Sequence, residues 1–310
     1  MTKEKIAYLF PGQGAQYPGM GQEFAASFSI AKETFEEADD LLGENLSQVI
    51  FEGPEELLTQ TKYSQLGIFV VSMAILRTIA QQVPDMRPIV CAGLSLGEYS
   101  ALCASGKLAF KDTLLLVRER ARLMNRACET TTGAMAAVLG LNSEEIEQAL
   151  SGCSGIWVAN YNCPGQTVIS GTLDGMEKAG RILKERGAKR VLPLTVHGAF
   201  HSGLMQSAQD GLAPLIAAAP ISESSIVLVM NVPGALVVPV SQIKECLTRQ
   251  VTHSIRWEQG IRSMEGIELF FEIGCGKTLT GLNKKIGVAG TTFSIERPAD
   301  LEQIGDLCNC

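Results

Sequence analysis

The spacing of apolar residues divides the chain into buried strands and core helices. Between 64 and 82, apolar side chains recur every three or four residues, which predicts a core helix. Short apolar runs predict buried strands at 5–10, 88–92, 226–230 and 267–272. Further helices are predicted up to Asp40 and over 98–104, 112–127, 202–218 and 240–250, with Asp112 as the cap of the third. Strands that alternate with helices are typical of an α/β protein.

The middle of the chain follows a different order of elements. The pattern predicts strands at 134–140, 156–160, 167–170 and 190–196, with helices at 143–150 and 173–186. This order, βαββαβ, is the ferredoxin-like arrangement, and it is complete within one stretch of chain. The simplest interpretation is a small domain, 129–198, inserted into a larger domain built from 1–128 and 199–310.

Composition and charge argue against several classes of protein. With 310 residues, 46% of them hydrophobic, the chain is long enough for one large domain and a smaller one. The formal net charge of -7 argues against general binding of nucleic acid. Nine cysteines without a Cys-x-x-Cys pair indicate reduced thiols, and three histidines without metal-like spacing argue against a zinc enzyme. We recognise no targeting signal or membrane span, and therefore expect a cytoplasmic protein.

The most informative motif is a serine between two glycines. Gly93-Leu94-Ser95-Leu96-Gly97 joins the predicted strand 88–92 to the predicted helix 98–104. In such a turn the serine backbone is strained, and the glycines remove side chains that would collide. The turn exposes the hydroxyl and leaves N–H groups free to bind a negative oxygen. The motif predicts attack by Ser95 on a carbonyl; the alternative is a glycine-rich turn with a buried structural serine.

Two other glycine-rich segments match nucleotide-binding motifs only in part. Gly274-Cys275-Gly276-Lys277-Thr278 ends like a phosphate-binding loop, but Phe271 occupies the position of the first glycine. The loop 11–21 lacks Gly-x-Gly-x-x-Gly, because Tyr17 stands at the last position. Neither segment indicates a nucleotide cofactor.

A serine nucleophile needs a base, and His201 is the preferred candidate. It lies where the chain leaves the predicted small domain and returns to the large one, a usual position for a cleft. His197 lies four residues earlier, and His253 belongs to a loop or a helix end. The alternative is that His201 has only a structural role.

No carboxylate completes this pair convincingly. A hydrolase-type order places an acid between the serine and the histidine, where Asp174 is the clearest aspartate. Asp174 falls at a predicted helix start, where capping is the simpler role, and Asp210 lies on the helix after His201. The residues by themselves therefore do not identify the acid of a serine–histidine–acid triad.

Seven segments form one ordered set between Phe10 and about Lys285. They are Phe-Pro-Gly-Gln-Gly-Ala-Gln at 10–16, Gly-Leu-Ser-Leu-Gly-Glu-Tyr-Ser-Ala-Leu at 93–102, Arg-Glu-Arg-Ala at 118–121, Gly-Ala-Met-Ala-Ala-Val at 133–138, Asn-Tyr-Asn-Cys-Pro-Gly-Gln at 160–166, Ala-Phe-His-Ser at 199–202, and the stretch 272–281. Together they resemble the malonyl-CoA:acyl carrier protein transacylases and the acyltransferase domains of polyketide synthases. The resemblance implies an α/β-hydrolase-like large domain with an inserted ferredoxin-like small domain.

The resemblance also implies how the chemistry is divided among residues. Ser95 would be the acylated nucleophile and His201 its general base. The histidine would be held by the main-chain carbonyl of Gln250 instead of a carboxylate, which would explain the missing aspartate. The main-chain N–H groups of Gln13 and Leu96 would form the oxyanion hole.

Arg120 would define the substrate by pairing with the free carboxylate of the malonyl group, which the planar guanidinium suits. The alternative is a surface charge on a helix with three other arginines.

Phe200 resembles the residue of malonyl-selecting relatives, where its bulk disfavours a methyl branch, and Asn160 would help to shape the pocket. Leu94 stands where the family usually has histidine, which bears on acyl selectivity; Cys275 replaces a more usual proline.

The implied reaction is a ping-pong transfer of malonyl from malonyl-CoA to the phosphopantetheine thiol of acyl carrier protein, through a Ser95 ester, for fatty-acid biosynthesis. It needs no metal or other cofactor. The expected partners are malonyl-CoA and acyl carrier protein, not nucleic acid or membrane, and the expected state is a monomer. Because carrier proteins are acidic, docking would need a basic patch, for which Lys284-Lys285 and the basic residues of 181–190 are candidates. The alternative for most of these residues is an ordinary solvated surface.

Two other functions are alternatives to transfer. A thioesterase or esterase would let water complete the reaction and would place a carboxylate near His201. A non-catalytic subunit that binds acyl carrier protein would form no acyl-enzyme and would tolerate loss of the Ser95 hydroxyl. Within the transferase interpretation, a methylmalonyl or larger acyl group is a third possibility.

Overall fold

The computed structural model describes residues 5–196 and 198–302, which form two β-sheets and the helices around them. The strands are β1 Ile6–Phe10, β2 Val90–Gly93, β3 Ala134–Leu139, β4 Ile156–Cys163, β5 Gln166–Gly171, β6 Arg190–Pro193, β7 Val227–Met230, β8 Ala235–Val237, β9 Ile255–Arg256, β10 Leu269–Ile273 and β11 Thr291–Ile295. The helices are α1 Gln22–Ser27, α2 Ser29–Leu42, α3 Leu46–Glu52, α4 Glu55–Leu58, α5 Thr61–Gln82, α6 Gly97–Ala104, α7 Phe110–Thr130, α8 Ser143–Leu150, α9 Leu173–Glu185, α10 Gln206–Ala218, α11 Val240–Arg249, α12 Trp257–Arg262 and α13 Thr278–Ile286, with a 3₁₀ turn at Gly203–Met205. The predicted α/β class is confirmed.

Six strands form a sheet that is parallel except at one edge. Their order is β11-β10-β1-β2-β7-β8, with β8 antiparallel to β7. The central strands β1 and β2 are buried along their whole length, and Phe10 pairs with Gly93 at their ends. Because parallel strands end at the same edge of a sheet, the loop after β1 and the serine turn after β2 lie side by side.

Helix α5 is a core helix, as the spacing over 64–82 predicted, although it starts earlier, at Thr61. By length and composition alone it could cross a membrane, since an 18-residue window has a mean hydropathy of 1.4. However, 78% of that window is buried inside the protein. The helix therefore packs as part of the core, against α2 and α7.

Five strands form the second sheet, in the order β6-β3-β5-β4-β9. The first four pair antiparallel, and α8 and α9 share a separate hydrophobic cluster with them. The predicted βαββαβ order of elements is present. The fifth strand, β9, comes from outside 129–198 and pairs parallel with β4 at Asn160 and Tyr161, so that segment does not complete the sheet by itself.

Several predicted elements have different bounds in the structure. The strand predicted over 190–196 ends at Pro193. Helix α7 begins at Phe110 with Ala109 as its N-cap, so Asp112 lies in the first turn and does not cap the helix. The pattern did not identify the elements α3, α4, α12, α13, β8, β9 and β11. Most of these are short, and short elements depend on tertiary packing more than on local preference.

The seven cysteines of the described chain are free thiols, in keeping with the reduced state that their scattered spacing predicted. The remaining two, Cys308 and Cys310, lie outside the described residues, as does His197.

Candidate active site

Ser95 lies on a sharp turn between the end of β2 and the start of α6. Its φ angle is 52°, a left-handed backbone that residues other than glycine rarely adopt. Hydrogen bonds hold the turn on both sides. The Ser95 N–H donates to Asn231 Oδ1 at 2.8 Å, and the Ser95 carbonyl accepts from Gln250 Nε2 at 2.9 Å. The predicted strained turn is therefore present, and Ser95 lines a cleft.

The glycines around Ser95 let three pieces of main chain approach one another. A Cβ added to Gly93 would lie 1.9 Å from the main chain of Gly97, and one added to Gly97 would lie 2.1 Å from the Phe10 carbonyl oxygen. A Cβ added to Gly12 would lie 2.4 Å from the Leu94 carbonyl oxygen. No side chain fits at these distances, so glycine is required where the loop 11–21 meets the serine turn.

Replacing Gly97 by alanine is expected to destabilise the protein by at least about 3 kcal/mol, because β1 would have to move to make room. Gly180→Ala is the matched control. Gly180 lies on α9 with open space around its Cβ position, so alanine is expected to be neutral or stabilising by up to about 1 kcal/mol. Denaturant midpoints measure both variants. Equal stability of Gly97→Ala and the parent protein would show that the close approach is not needed.

His201 lies beside the serine hydroxyl, and it also has a positive φ, 57°. Ser95 Oγ is 2.9 Å from His201 Nε2, and His201 Nδ1 is 2.9 Å from the main-chain oxygen of Gln250. A carbonyl oxygen only accepts hydrogen bonds, so Nδ1 bears the proton and Nε2 accepts from the serine. The structure thus brings together the three residues that the resemblance grouped.

Burial sets the charge of His201, whose side chain is almost inaccessible to solvent. Desolvation and, to a smaller extent, the charge of Arg120 lower the pKa of His201 to about 3, while the hydrogen bond to the Gln250 oxygen acts in the opposite direction. The imidazole is therefore neutral near pH 7 and available to accept the serine proton.

The two aspartates considered as the acid of a catalytic triad, Asp174 and Asp210, do not contact His201. Asp174 is in the first turn of α9, where it pairs with Lys178, and Thr172 is the N-cap of that helix. The suggestion that Asp174 caps α9 is therefore wrong. Asp210 accepts a hydrogen bond from Gln206 at the exposed surface of α10. The main-chain oxygen of Gln250 occupies the place that an acid takes in hydrolases.

Arg120 is buried beside the serine, with 1% of its surface exposed. Its Nη1 donates to Gln65 Oε1 at 2.6 Å, and its Nη2 donates to Gln250 Oε1 at 2.8 Å and to Ser95 Oγ at 3.1 Å. Two other arginines of α7 pair with Glu119 at the surface. The alternative interpretation of Arg120 as a surface charge is therefore wrong.

The main-chain N–H groups of Gln13 and Leu96 belong to the two loops that Gly12 brings together. Leu96 directly precedes α6, and Gln13 belongs to the loop after β1. Within residues 5–196 and 198–302, neither N–H donates to a protein atom. Free N–H groups beside a nucleophile are what an oxyanion hole requires, so this geometry fits the role that the resemblance implied.

The cleft above Ser95 has a volume of about 300 Å³. It is bounded by the loop 11–21, the serine turn and the second sheet, and Asn160 and Phe200 both line it, as does Leu94. Its further apolar walls are Met124, Met135, Ala137, Val168, Leu194 and Val196. An acyl chain in this cleft would be surrounded mainly by apolar side chains, with few waters beside it.

Three buried polar residues of the site were not selected from the sequence. Gln65 accepts from Arg120, and Asn231 holds the Ser95 N–H. Glu98 accepts from both Asn231 N and Gln250 Nε2, and burial raises its pKa to about 7 although these bonds act in the opposite direction. Each had a sequence signal: Gln65 interrupts an apolar helix, Glu98 directly follows the serine motif, and Asn231 directly follows a predicted strand.

A serine hydroxyl bonded to a neutral imidazole, with free main-chain N–H groups nearby, defines a site for acyl transfer through a serine ester. The buried guanidinium beside the hydroxyl adds a position for an anionic group on the acyl chain. Residues 7–273 match the acyl transferase domain family, and the chain belongs to that family.

Known proteins similar to this chain match almost its whole length. It is 42% identical over 304 residues to the malonyl CoA-acyl carrier protein transacylase of Bacillus subtilis (strain 168), with 96% of this chain and 95% of that protein covered. The crystal structure of acyl-carrier-protein-S-malonyltransferase from Bartonella henselae matches with a TM-score of 0.93 at 35% sequence identity. The match covers 99% of this chain and 100% of that one. A malonyl-transacylase in complex with its type II PKS acyl-carrier protein matches with a TM-score of 0.92 at 35% sequence identity. The match covers 97% of this chain and 98% of that one.

Proposed function

We propose that the protein transfers the malonyl group of malonyl-CoA to the phosphopantetheine thiol of acyl carrier protein, for fatty-acid biosynthesis. The observation that supports this most directly is the 3.1 Å distance between Arg120 Nη2 and Ser95 Oγ. A buried cation this close to the nucleophile suits an acyl group that ends in a carboxylate, because guanidinium donates two parallel hydrogen bonds to one carboxylate. The names of the relatives agree with this substrate.

In the first half of the reaction, His201 Nε2 takes the proton of Ser95 as Oγ attacks the thioester carbonyl. The resulting oxyanion accepts hydrogen bonds from the N–H groups of Gln13 and Leu96; loss of one such donor typically raises the barrier by about 3–4 kcal/mol. The C–S bond then breaks, and CoA leaves as a thiol with the proton from His201. Ser95 is left as a malonyl ester whose carboxylate lies at Arg120.

In the second half, the carrier thiol attacks the same ester and gives its proton to His201. Collapse of the intermediate restores the Ser95 hydroxyl and releases the malonyl thioester of the carrier. Both halves use one site in turn, which gives a ping-pong mechanism. Since thioester and ester are close in energy, the main demand on the site is to exclude water, which the apolar walls of the cleft favour.

The protonation state of His201 gives a pH prediction. Because its pKa is lowered to about 3, the imidazole stays unprotonated at a pH of about 5, whereas an ordinary histidine gains its proton near pH 6.5. The rate at which a fluorophosphonate, a serine reagent without a carboxylate, labels Ser95 is therefore expected to stay level as the pH falls from about 8 to about 5. A fall to half near pH 6.5 would contradict the assignment of a neutral buried base.

We also propose that acyl carrier protein docks beside Lys284 and Lys285. These residues lie in the last turn of α13, whose first residue, Thr278, lines the cleft. Lys285 Nζ donates to Gln166 Oε1 at 3.2 Å, and Gln166 lines the cleft too. Positive charge at this position suits an acidic carrier that must deliver its thiol to Ser95.

We infer that the larger unit, 1–128 with 199–310, is α/β-hydrolase-like and that 129–198 is a ferredoxin-like unit. The serine turn between a parallel strand and a helix supports the first part. The order β6-β3-β5-β4, with these strands antiparallel, supports the second. In this interpretation, β9 is a strand that the larger unit adds to the smaller sheet.

The proposed reaction requires no metal or other cofactor, because His201, Arg120 and the main-chain N–H groups perform each step. A cytoplasmic monomer that binds neither nucleic acid nor membrane stays a prediction from the sequence. Size-exclusion chromatography with light scattering measures the oligomeric state.

A chase experiment tests transfer against the alternatives. The protein is loaded with radiolabelled malonyl-CoA, freed of CoA, and mixed with holo acyl carrier protein or with buffer. Label is expected to move to the carrier and to stay on the protein in buffer. Release of free malonate at equal rates in both mixtures would identify a hydrolase, and absence of labelled protein would identify a non-catalytic subunit.

A further inference from the structure

A buried chain of hydrogen bonds joins Arg120 to Glu98 through the side chain of Gln250. Arg120 Nη2 donates to Gln250 Oε1 at 2.8 Å, and Gln250 Nε2 donates to Glu98 Oε2 at 2.6 Å. Gln250 is fully buried and Glu98 is 1% exposed. The side chain of Gln250 therefore has a position in the site that is separate from the contact between its main-chain oxygen and the imidazole.

Both carboxylate oxygens of Glu98 act as acceptors. Oε1 accepts from the main-chain N–H of Asn231 at 2.5 Å, while Oε2 accepts from Gln250. The side chain of Asn231 in turn donates to Gly93 O at 2.8 Å and accepts from Ser95 N at 2.8 Å. One buried carboxylate thus contacts two residues that hold opposite sides of the serine turn.

The contacts of the Gln250 amide determine which way round it lies. Its Nε2 faces two acceptors, Glu98 Oε2 and the Ser95 carbonyl oxygen, and its Oε1 faces a donor, Arg120 Nη2. The reversed amide would set N–H against the guanidinium and oxygen against the carboxylate, which leaves buried groups unpaired. Glu98 therefore favours the orientation in which Gln250 offers an oxygen to Arg120.

This arrangement also leaves the positive charge of Arg120 available to pair with a carboxylate of the substrate. The three hydrogen bonds of the guanidinium go to two amide oxygens and one hydroxyl, so in the described part of the chain its charge has no direct carboxylate partner. The buried carboxyl group of Glu98 contacts the amide of Gln250 and not the guanidinium. An incoming carboxylate then meets a cation that is held in place but not neutralised by contact.

We propose that Glu98 is a positioning residue that, through the side-chain amide of Gln250, directs the Arg120 guanidinium toward the acyl group and so sets the preference for acyl groups that bear a carboxylate. This inference rests on the proposed function, since it concerns how the same site selects malonyl.

Glu98→Gln tests the proposal with almost no change of shape. Glutamine has one acceptor oxygen where Glu98 uses two. If that oxygen accepts from Asn231, its NH2 group faces Gln250, whose amide must then reverse in order to accept from it. Acylation by malonyl-CoA and by acetyl-CoA is measured at a pH above the pKa of Glu98, which is raised to about 7. The preference for malonyl is expected to fall by at least about tenfold, mainly as a higher KM for malonyl-CoA.

Glu119→Gln is the matched control, because it removes a carboxylate next to Arg120 in sequence but at the surface. The preference of Glu119→Gln for malonyl over acetyl is expected to match that of the wild type.

Thermal melting checks that Glu98→Gln is folded. If it is not, Gln250→Met, which keeps the main-chain oxygen for His201 but removes the amide, is expected to show the same loss of preference.

Two results would overturn the proposal. One is a malonyl preference within about twofold of wild type in the folded variant, and the other is an equal loss of malonyl and acetyl loading, which indicates a general structural role. Failure of the proposed function is recognised separately, because the wild-type protein would then form no malonyl ester or show no preference for malonyl.

Discussion

Replacing Ser95 by alanine is expected to lower the rate of malonyl transfer to acyl carrier protein by roughly 10⁴-fold or more, because no oxygen remains to form the ester. The oxyanion donors and His201 would stay in place without an acceptor for the acyl group. The assay follows radiolabelled malonyl from malonyl-CoA to the carrier. Ser207→Ala, at an exposed position of α10, is the matched control and is expected to leave the rate unchanged.

Substantial malonyl transfer by the Ser95→Ala protein would contradict a mechanism through a Ser95 ester. It would show that the acyl group reaches the carrier without the serine ester, either directly or through another nucleophile. The geometry around Ser95, with its φ of 52° and its 2.9 Å contact to His201, would then need another explanation.

Replacing Arg120 by alanine is expected to remove the preference for malonyl over acetyl. Two charge-assisted hydrogen bonds to the malonyl carboxylate, each worth about 1.5–3 kcal/mol, would be lost, while an acetyl group never made them. Loading of malonyl should therefore fall at least about a hundredfold relative to loading of acetyl. Competition between malonyl-CoA and acetyl-CoA, read by intact-protein mass spectrometry, measures the ratio.

Arg122→Ala is the control for this change, since Arg122 lies on the same helix but pairs with Glu119 at the surface. It should load malonyl as the wild type does. Arg120→Lys keeps the charge without the fork of parallel donors, and is expected to retain only part of the preference. An unchanged ratio in Arg120→Ala would remove the carboxylate-binding role, even if Ser95 still became acylated.

The sequence predicted those parts of the fold that depend on neighbouring residues. Helix α8 spans Ser143–Leu150, as the pattern indicated, and the serine turn lies between a strand and a helix as its glycines required. The strand β9 could not be found this way. It has two residues, Ile255 and Arg256, and it exists because they pair with β4, about a hundred positions earlier in the chain. Such pairing has no local pattern to reveal it.

The site shows the same division between local and distant contacts. The motif identified Ser95, and the seam between the two predicted domains pointed to His201. Gln250 came from the resemblance alone, because a main-chain oxygen has no side-chain signature in a sequence. Glu98 was not selected although it lies three residues after Ser95, since its partner Gln250 is 152 positions away. A buried network of amides and one acid becomes visible only when the chain is folded.

The most direct measurement is the position of the acyl group after brief exposure of the wild-type protein to malonyl-CoA. The reaction is stopped with acid, and the protein is digested and sequenced by tandem mass spectrometry. One malonyl group is expected, as an ester on Ser95, with none on the Ser95→Ala protein. A malonyl group on a cysteine, or no covalent adduct while the carrier is still loaded, would contradict the mechanism.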